Sequence, residues 1–255
     1  MPRYVVGIDL GTSNSALAYA DLDEARRQGR PTIRELLIPQ LVAPHDVQPR
    51  ALLPSARYEA ARFELPEGAD ALPWPAEAVA GDRAQPIIGE AARRLGGKTP
   101  VRLVESAKSW LCHGGVNRTS AILPWHAPDE VPKISPVDAS ASYLAHLRAA
   151  WDHTMAAQDP ALTLAQQAVV VTVPASFDEV ARRLTLEAAK RAGLGEVTLI
   201  EEPLAAFYAF VARTGGTEAT TGLHPGERVL IADVGGGTTD FKIGRASCRE
   251  RVCYV

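Results

Sequence analysis

"VGIDLGTSNS", residues 6–15, decides how the rest of the chain is read. Tyr4, Val5, Val6, Ile8 and Leu10 surround Gly7 in a strand-like run, and "SALAYA", residues 15–20, returns as a second strand. A hairpin needs a turn between its strands, but it does not need a carboxylate beside a glycine and two hydroxyls. Asp9, Gly11, Thr12, Ser13 and Asn14 together suit an anion held against backbone N–H groups, with a cation held by the acid.

The same logic returns far along the chain. "VLIADVGGGTTDFKI", residues 229–243, runs through an apolar strand, an aspartate, a small apolar residue, glycines, hydroxyls and a returning strand. One such turn fits an ordinary hairpin, because glycine and aspartate are common turn residues. Two copies at the same structural step point to a shared ligand. Gly235, Gly236 and Gly237 let the main chain approach a phosphate without a Cβ in the way, and Thr12, Ser13, Thr238 and Thr239 add hydroxyl donors. Asp9 and Asp233, facing one site from opposite sides, suit a hydrated Mg²⁺, and the ligand expected is a triphosphate tail. "GGKT" at Gly96 is not a competing P-loop: the spacing requires glycine at position 92, which is Ala92, and no apolar strand precedes it.

Between the two turns the texture changes twice. Fourteen of the nineteen prolines fall within residues 31–136, which predicts a peripheral, loop-rich insertion, with "ELPEGADALPWPAE" at residues 64–77 as an exposed loop. Ser135, Pro136 and Asp138 then mark a helix start, followed by Leu144, Leu147, Trp151 and Met155 at helical spacing. "AVVVTVP" from Ala168 reads as a parallel strand covered on both faces. Ser176 and Glu179 form a capping-box pattern for a helix whose face is Ala181, Leu184, Ala188 and Ala192, ending at Gly193. "VTLI" is a further strand, and Pro203 opens another helix. The predicted order is β-β-(insertion)-α-β-α-β-α-β, an α/β layered domain.

Composition narrows the classes. The 255 residues, 46% hydrophobic, supply a real core, and a net charge of −3 leaves no basic footprint for nucleic acid. The longest apolar run, "LAAFYAFVA" from Leu204, falls far short of the ~20 residues that span a bilayer, so no membrane is expected. Cys112, Cys248 and Cys253 have neither metal spacing nor a disulfide framework, and no signal peptide precedes the first strand. A cytoplasmic protein is therefore expected.

The two Asp-Gly turns resemble the phosphate motifs of the actin, hexokinase and Hsp70 ATPase superfamily. Within it, "GIDLGTSNS", "IIGEAARR", "VESAKSWL", "VVVTVPASFDEVARRLTLEAAKRAGL", "IEEPLAAFYAF" and "IADVGGGTTDF" each resemble an Hsp70 segment, in the Hsp70 order. Ser13 stands where threonine is usual, Ser176 where an aromatic is usual, and the proline-rich insertion is longer, which marks a divergent bacterial member. The resemblance implies the actin-like, ribonuclease H-like ATPase fold and assigns roles. Lys108 matches the lysine that reaches the γ-phosphate and attacking water, Glu202 the carboxylate that orients the water–metal shell, and Thr238 the hydroxyl at the γ-phosphate. With Asp233 these are the expected catalytic residues. Asp9, Asp233 and Glu202 would meet Mg²⁺, largely through water. Gly11, Thr12, Ser13, Asn14, Gly235, Gly236, Gly237, Thr238 and Thr239 would hold ATP or ADP, with K⁺ as a further cation candidate. Pro174 and Arg182 match a pair that relays nucleotide state, though as residues they also fit a strand end and a helix salt bridge.

The expected division is a first lobe at 1–227, containing the insertion at about 31–135, the start of a second lobe at 228–243, and a non-native tail at 244–255. "IGRASCRERV" in that tail resembles the conceptual translation of a sequencing-library adaptor, so a truncated gene is expected. The expected function is an Hsp70-type chaperone ATPase that binds client polypeptides and co-chaperones when complete, and is inactive in this truncated form. An actin-like filament protein and a small-molecule kinase of the same superfamily are the alternatives.

Overall fold

In β1 (Tyr4–Leu10), Tyr4, Val6, Ile8 and Leu10 are buried while Val5 and Asp9 face outward, the period-2 pattern of a strand with one face in a core. This computed structural model describes residues 1–76, 84–214, 222–224, 226–237, 239–245, 247–249 and 252–254. β2 (Asn14–Asp21) returns antiparallel to β1, from Ser15 opposite Leu10 to Asp21 opposite Tyr4. Asp21 then caps α1 (Leu22–Gln28), its carboxylate accepting from the N–H groups of Asp23 and Glu24.

The proline-rich stretch holds more structure than a loop-rich insertion. β3 (Arg34–Glu35) continues the main sheet beyond β2. β4 (Ile38–Ala43) and β5 (Asp46–Arg50) pair with Pro39 opposite Pro49, a two-stranded ribbon in which a missing N–H is tolerated. β6 (Leu53–Pro54) pairs with β2, while β7 (Ala56–Tyr58), β8 (Ile87–Ile88) and, beyond α2 (Glu90–Gly96), β9 (Leu103–Glu105) form a small sheet. Leu41, Ala56, Tyr58, Ile87, Ala91 and Ala92 make a separate small core there. Most of 64–76 is exposed as expected, but Ala69 is buried and Trp74 meets the His146 ring edge-on at 5.2 Å.

α3 (Ala107–Leu111) follows β9 directly. α4 (Pro136–Met155) begins as its sequence predicts, with Ser135 accepting from the Asp138 N–H and Pro136 in the first turn. β10 (Ala168–Val173) lies parallel to both β1 and β11 (Val197–Glu201), giving the sheet order β11-β10-β1-β2-β3. β10 is not covered equally on its two faces: Val169, Val171 and Val173 are buried, and Ala168, Val170 and Thr172 are half-buried. The half-covered face is the one that bears Asp9 on β1, so the sheet opens there towards the candidate site.

α5 (Glu179–Arg191) starts from Asp178, whose carboxylate accepts from the Ala181 N–H; this replaces the expected Ser176–Glu179 capping box, and Ser176 is exposed. At its other end Gly193 takes φ 74°, and the N–H groups of Gly193 and Leu194 bond the carbonyls of Lys190 and Ala189, a Schellman closure. The buried residues of α4 and α5 join those of β1 and β10 in one core, centred on Trp151, Tyr4 and Tyr19 in mutual edge-to-face contact.

α6 (Glu202–Thr214) leads towards β12 (Arg228–Val234), which pairs antiparallel with β13 (Thr239–Arg245). β13 runs past the expected end at Ile243, since Gly244 pairs with Val229 and Arg245 with Arg228. β14 (Ser247–Arg249) and β15 (Val252–Tyr254) pair with each other. The described part of the tail therefore has strand structure that its residues did not announce. Among the described residues no helix is long and apolar enough to cross a membrane.

Candidate functional site

Parallel strands deliver their C-terminal ends to one edge of a sheet, and here that edge carries the chemistry. β1 ends in the first turn, β10 brings Thr172 alongside, and β11 passes straight into α6 at Glu202. Strand alternation puts Asp9 on the face away from the core, where the Thr172 hydroxyl donates to its carboxylate at 2.8 Å. Thr172 thereby joins the candidate site, although nothing in its own sequence context points to it. It lay inside an apolar run, and only the β1–β10 pairing sets it beside Asp9.

The turn after Leu10 requires glycine. A Cβ at Gly11 would stand 2.0 Å from the Asn14 carbonyl oxygen, far inside contact distance. The second turn comes to meet the first. A Cβ at Gly236 would fall 2.4 Å from the Ser13 hydroxyl, and one at Gly237 would fall 2.5 Å from the Thr12 methyl. The glycines thus make room for the opposing turn itself. Gly235 and Thr239 are exposed at its ends. Thr238 lies outside the described residues.

Lys108 of α3 and Glu202 at the start of α6 form a buried ion pair. Ser106, at φ 56°, makes the turn from β9 into α3, and Lys108 is 5% exposed, which excludes a solvated surface role. Burial pushes the Glu202 carboxyl above the usual range, opposed by Lys108 and assisted by the negative charges of Asp9 and Asp233. Asp9, Asp233 and Glu202 therefore share one electrostatic environment, although they come from three distant segments. Asp240 stands directly opposite Asp233 in the β12–β13 ladder and is buried, adding a fourth acid that the sequence reading left unassigned. Only the β12–β13 register sets it there.

An all-oxygen, anionic set of this kind fits a hard divalent cation. Among the described residues no three acids or imidazoles converge closely enough to ligate a metal directly. A cation held through its own water suits that spacing, and Mg²⁺ retains water readily.

Pro174 directly follows the C-terminal end of β10, two residues after Thr172, and Arg182 lies in the first turn of α5. The Pro174 carbonyl accepts from the Phe177 N–H at 3.1 Å, and the Phe177 carbonyl accepts from Arg182 Nε at 3.3 Å. Arg182 then pairs with Glu201 at 3.0 Å, which also binds Lys242 of β13. Lys242 and Arg182 hold the Glu201 carboxyl below its usual range. The structure places Arg182 on Glu201, and Glu202 on Lys108.

An Asp-Gly turn at the C-terminal edge of a mixed sheet, met by a second Asp-Gly turn on the β12–β13 ribbon and accompanied by a buried lysine–glutamate pair, defines an α/β domain with a paired-turn candidate site. The family model described as "Hsp70 protein" matches residues 90–246, more than half of the chain. The chain belongs to the Hsp70 family. It is 33% identical over 258 residues to "Chaperone protein HscA homolog" of Pseudomonas paraeruginosa, covering 95% of this chain and 32% of that protein. The proteins of the same name from Methylobacillus flagellatus and Burkholderia cenocepacia are each 32% identical, over 95% and 94% of this chain and 32% of their own length. The chain thus spans about a third of the length of these curated relatives.

Proposed function

We propose that this chain carries the phosphate-binding half of an ATP-hydrolysing chaperone that acts on unfolded client polypeptides with co-chaperones. The observation that carries the reading is the contact of Thr12 and Ser13 with Gly237 and Gly236, together with a buried Lys108–Glu202 pair whose carboxylate feels the charges of Asp9 and Asp233. Four separate chain segments converge where an ordinary hairpin would need only its own.

Phosphoryl transfer to water passes through a loose, highly charged transition state, so positioning and electrostatics supply the rate. The N–H and hydroxyl groups of Gly11, Thr12, Ser13 and Asn14, with Gly235, Gly236, Gly237, Thr238 and Thr239, would cradle the phosphates of ATP or ADP. Lys108 would place a cation at the γ-phosphate, and Glu202 would orient the attacking water. Burial raises its affinity for a proton, which favours its accepting one from water as it attacks. Mg²⁺, when bound, neutralises phosphate oxygens; Asp9, Asp233 and Glu202 would hold its water, with K⁺ as a secondary candidate. Arg182, with Pro174, would relay nucleotide state.

The first lobe at 1–227 and the start of a second at 228–243, a non-native tail, the actin-like assignment of the fold and a cytoplasmic setting belong to the same proposal. A filament protein and a small-molecule kinase are disfavoured by the family match. In the full-length protein, single-turnover release of phosphate from Mg·ATP tests the reading. Slow turnover without transfer to a sugar panel and without ATP-dependent sedimentation supports it. Absence of nucleotide binding refutes it.

A further inference from the structure

The first turn is fastened from behind. Ser55, between β6 and β7, is 3% exposed and donates its hydroxyl to the Gly11 carbonyl at 2.7 Å. Its backbone N–H bonds the Ser13 carbonyl at 3.0 Å. A serine hydroxyl has one hydrogen, so with Ser55 donating to Gly11, the fully buried Ser15 must donate to Ser55 across their 2.9 Å contact. Arg93 of α2 reaches the same carbonyl of Ser13 at 2.9 Å and the Asn14 side-chain oxygen at 3.1 Å.

The geometry points to Ser55, with Ser15 behind it and Arg93 beside it, as the positioning residue of the first phosphate turn. This rests on the reading that residues 11–14 receive phosphates. The reason is the planarity of the peptide unit. In a trans peptide the C=O of one residue and the N–H of the next lie in one plane and point in opposite directions. Tying the Gly11 carbonyl to Ser55 therefore fixes the direction of the Thr12 N–H, and tying the Ser13 carbonyl fixes that of the Asn14 N–H. Both are set pointing away from the insertion. All the carbonyl-side partners come from the proline-rich stretch and β2, so that stretch organises the anion cradle without touching the anion. Preorganised donors favour a ligand by removing the ordering cost of the loop.

The test uses the full-length protein with Ser55→Ala and Ser55→Cys, the second keeping the side-chain volume should the first fold poorly, and Ser15→Ala. Ser55→Ala and Ser55→Cys should weaken Mg·ATP binding about tenfold, Ser15→Ala about threefold, and adenosine binding should change less than twofold. Amide hydrogen exchange at Thr12 and Asn14 in the ligand-free protein should rise in both Ser55 variants. A role in packing alone would instead lower ATP and adenosine affinity in step, or shift the melting midpoint with the exchange unchanged. Either of those results, or Mg·ATP affinity within twofold of wild type in both Ser55 variants, overturns the assignment. Should the wild-type protein take no ATP, the nucleotide reading fails; exchange at Thr12 and Asn14 still decides the clamp.

Discussion

Removing the Lys108 ammonium should destabilise the fold as well as stop turnover, and the destabilisation should depend on pH. The side chains of Lys108 and Glu202 are 6% and 12% exposed, so the pair is close to fully desolvated. Deleting one partner of such a pair typically costs about 3–5 kcal/mol, because the other charge is left buried. Glu202 already binds its proton more tightly than a free glutamate, through burial first and then through Asp9 and Asp233, and Lys108 opposes all three. In Lys108→Ala that opposition is gone and the folded-state pKa rises further. A carboxyl with a raised folded-state pKa binds more protons folded than unfolded, so stability falls as pH rises through that pKa and recovers as pH falls towards the unfolded value.

Urea midpoints of wild type, Lys108→Ala and Lys108→Ala/Glu202→Gln across pH 5–8.5 measure this. The single variant should lose about 3 kcal/mol or more near pH 8 and regain much of it near pH 5. The double variant, with no carboxyl to strand, should be more stable than the single one at pH 8 and should lose the added slope. Single-turnover hydrolysis in Lys108→Ala should fall about a hundredfold or more, the ~2.7–4 kcal/mol typical of one lost transition-state stabiliser. A pH-independent loss under about 1 kcal/mol, or turnover within threefold of wild type, would refute the electrostatic account.

Gly11→Ala should abolish Mg·ATP binding, since its Cβ meets backbone 2.0 Å away and the turn must open; titration calorimetry at wild-type affinity would count against a tight turn. His146, buried with its Nε2 on the Pro39 carbonyl, has its pKa pushed down to about 4. Its unfolded value lies above its folded value, so it should withdraw about 3 kcal/mol of stability as pH falls from about 6.5 to about 4, and His146→Gln should flatten that part of the midpoint profile. Truncation after Arg245 should leave the melting midpoint unchanged, whereas truncation after Ile243 should lower it by removing the Gly244–Val229 and Arg245–Arg228 pairs; equal midpoints would show that the strand extension carries no stability.

Local grammar made the large elements legible. Ser135–Pro136–Asp138, the Ala168 strand and the Gly193 stop each state their structure within a few residues, and each is found there. The two turns were legible for a different reason: their residues are costly anywhere but at a close approach. Ser55, Thr172 and Asp240 were not legible in the same way. Each is an ordinary residue until pairing places it beside Gly11, Asp9 or Asp233. The helix start at Asp178 was missed because Ser176 and Asp178 both satisfy capping chemistry. The local pattern does not record that Arg118 also binds Asp178. Residues 31–135 looked loop-rich because prolines signal interruption, yet the two-stranded β4–β5 ribbon accepts them, Pro39 opposite Pro49.

Two adjacent carboxylates show how the strand end divides its work. Glu201 closes β11 and Glu202 opens α6, so the backbone changes direction between them and their side chains serve different neighbours. Glu202 turns to Lys108, while Glu201 takes Arg182 from α5 and Lys242 from β13. A relay through Pro174 and Arg182 would therefore not need to act on Glu202 itself. Movement of the β12–β13 turn against residues 12–13 would pull on Lys242, and Lys242 shares the Glu201 carboxylate with Arg182. The link from the second turn to α5 is then one carboxylate with two cations, adjacent in sequence to Glu202 but holding different partners from it.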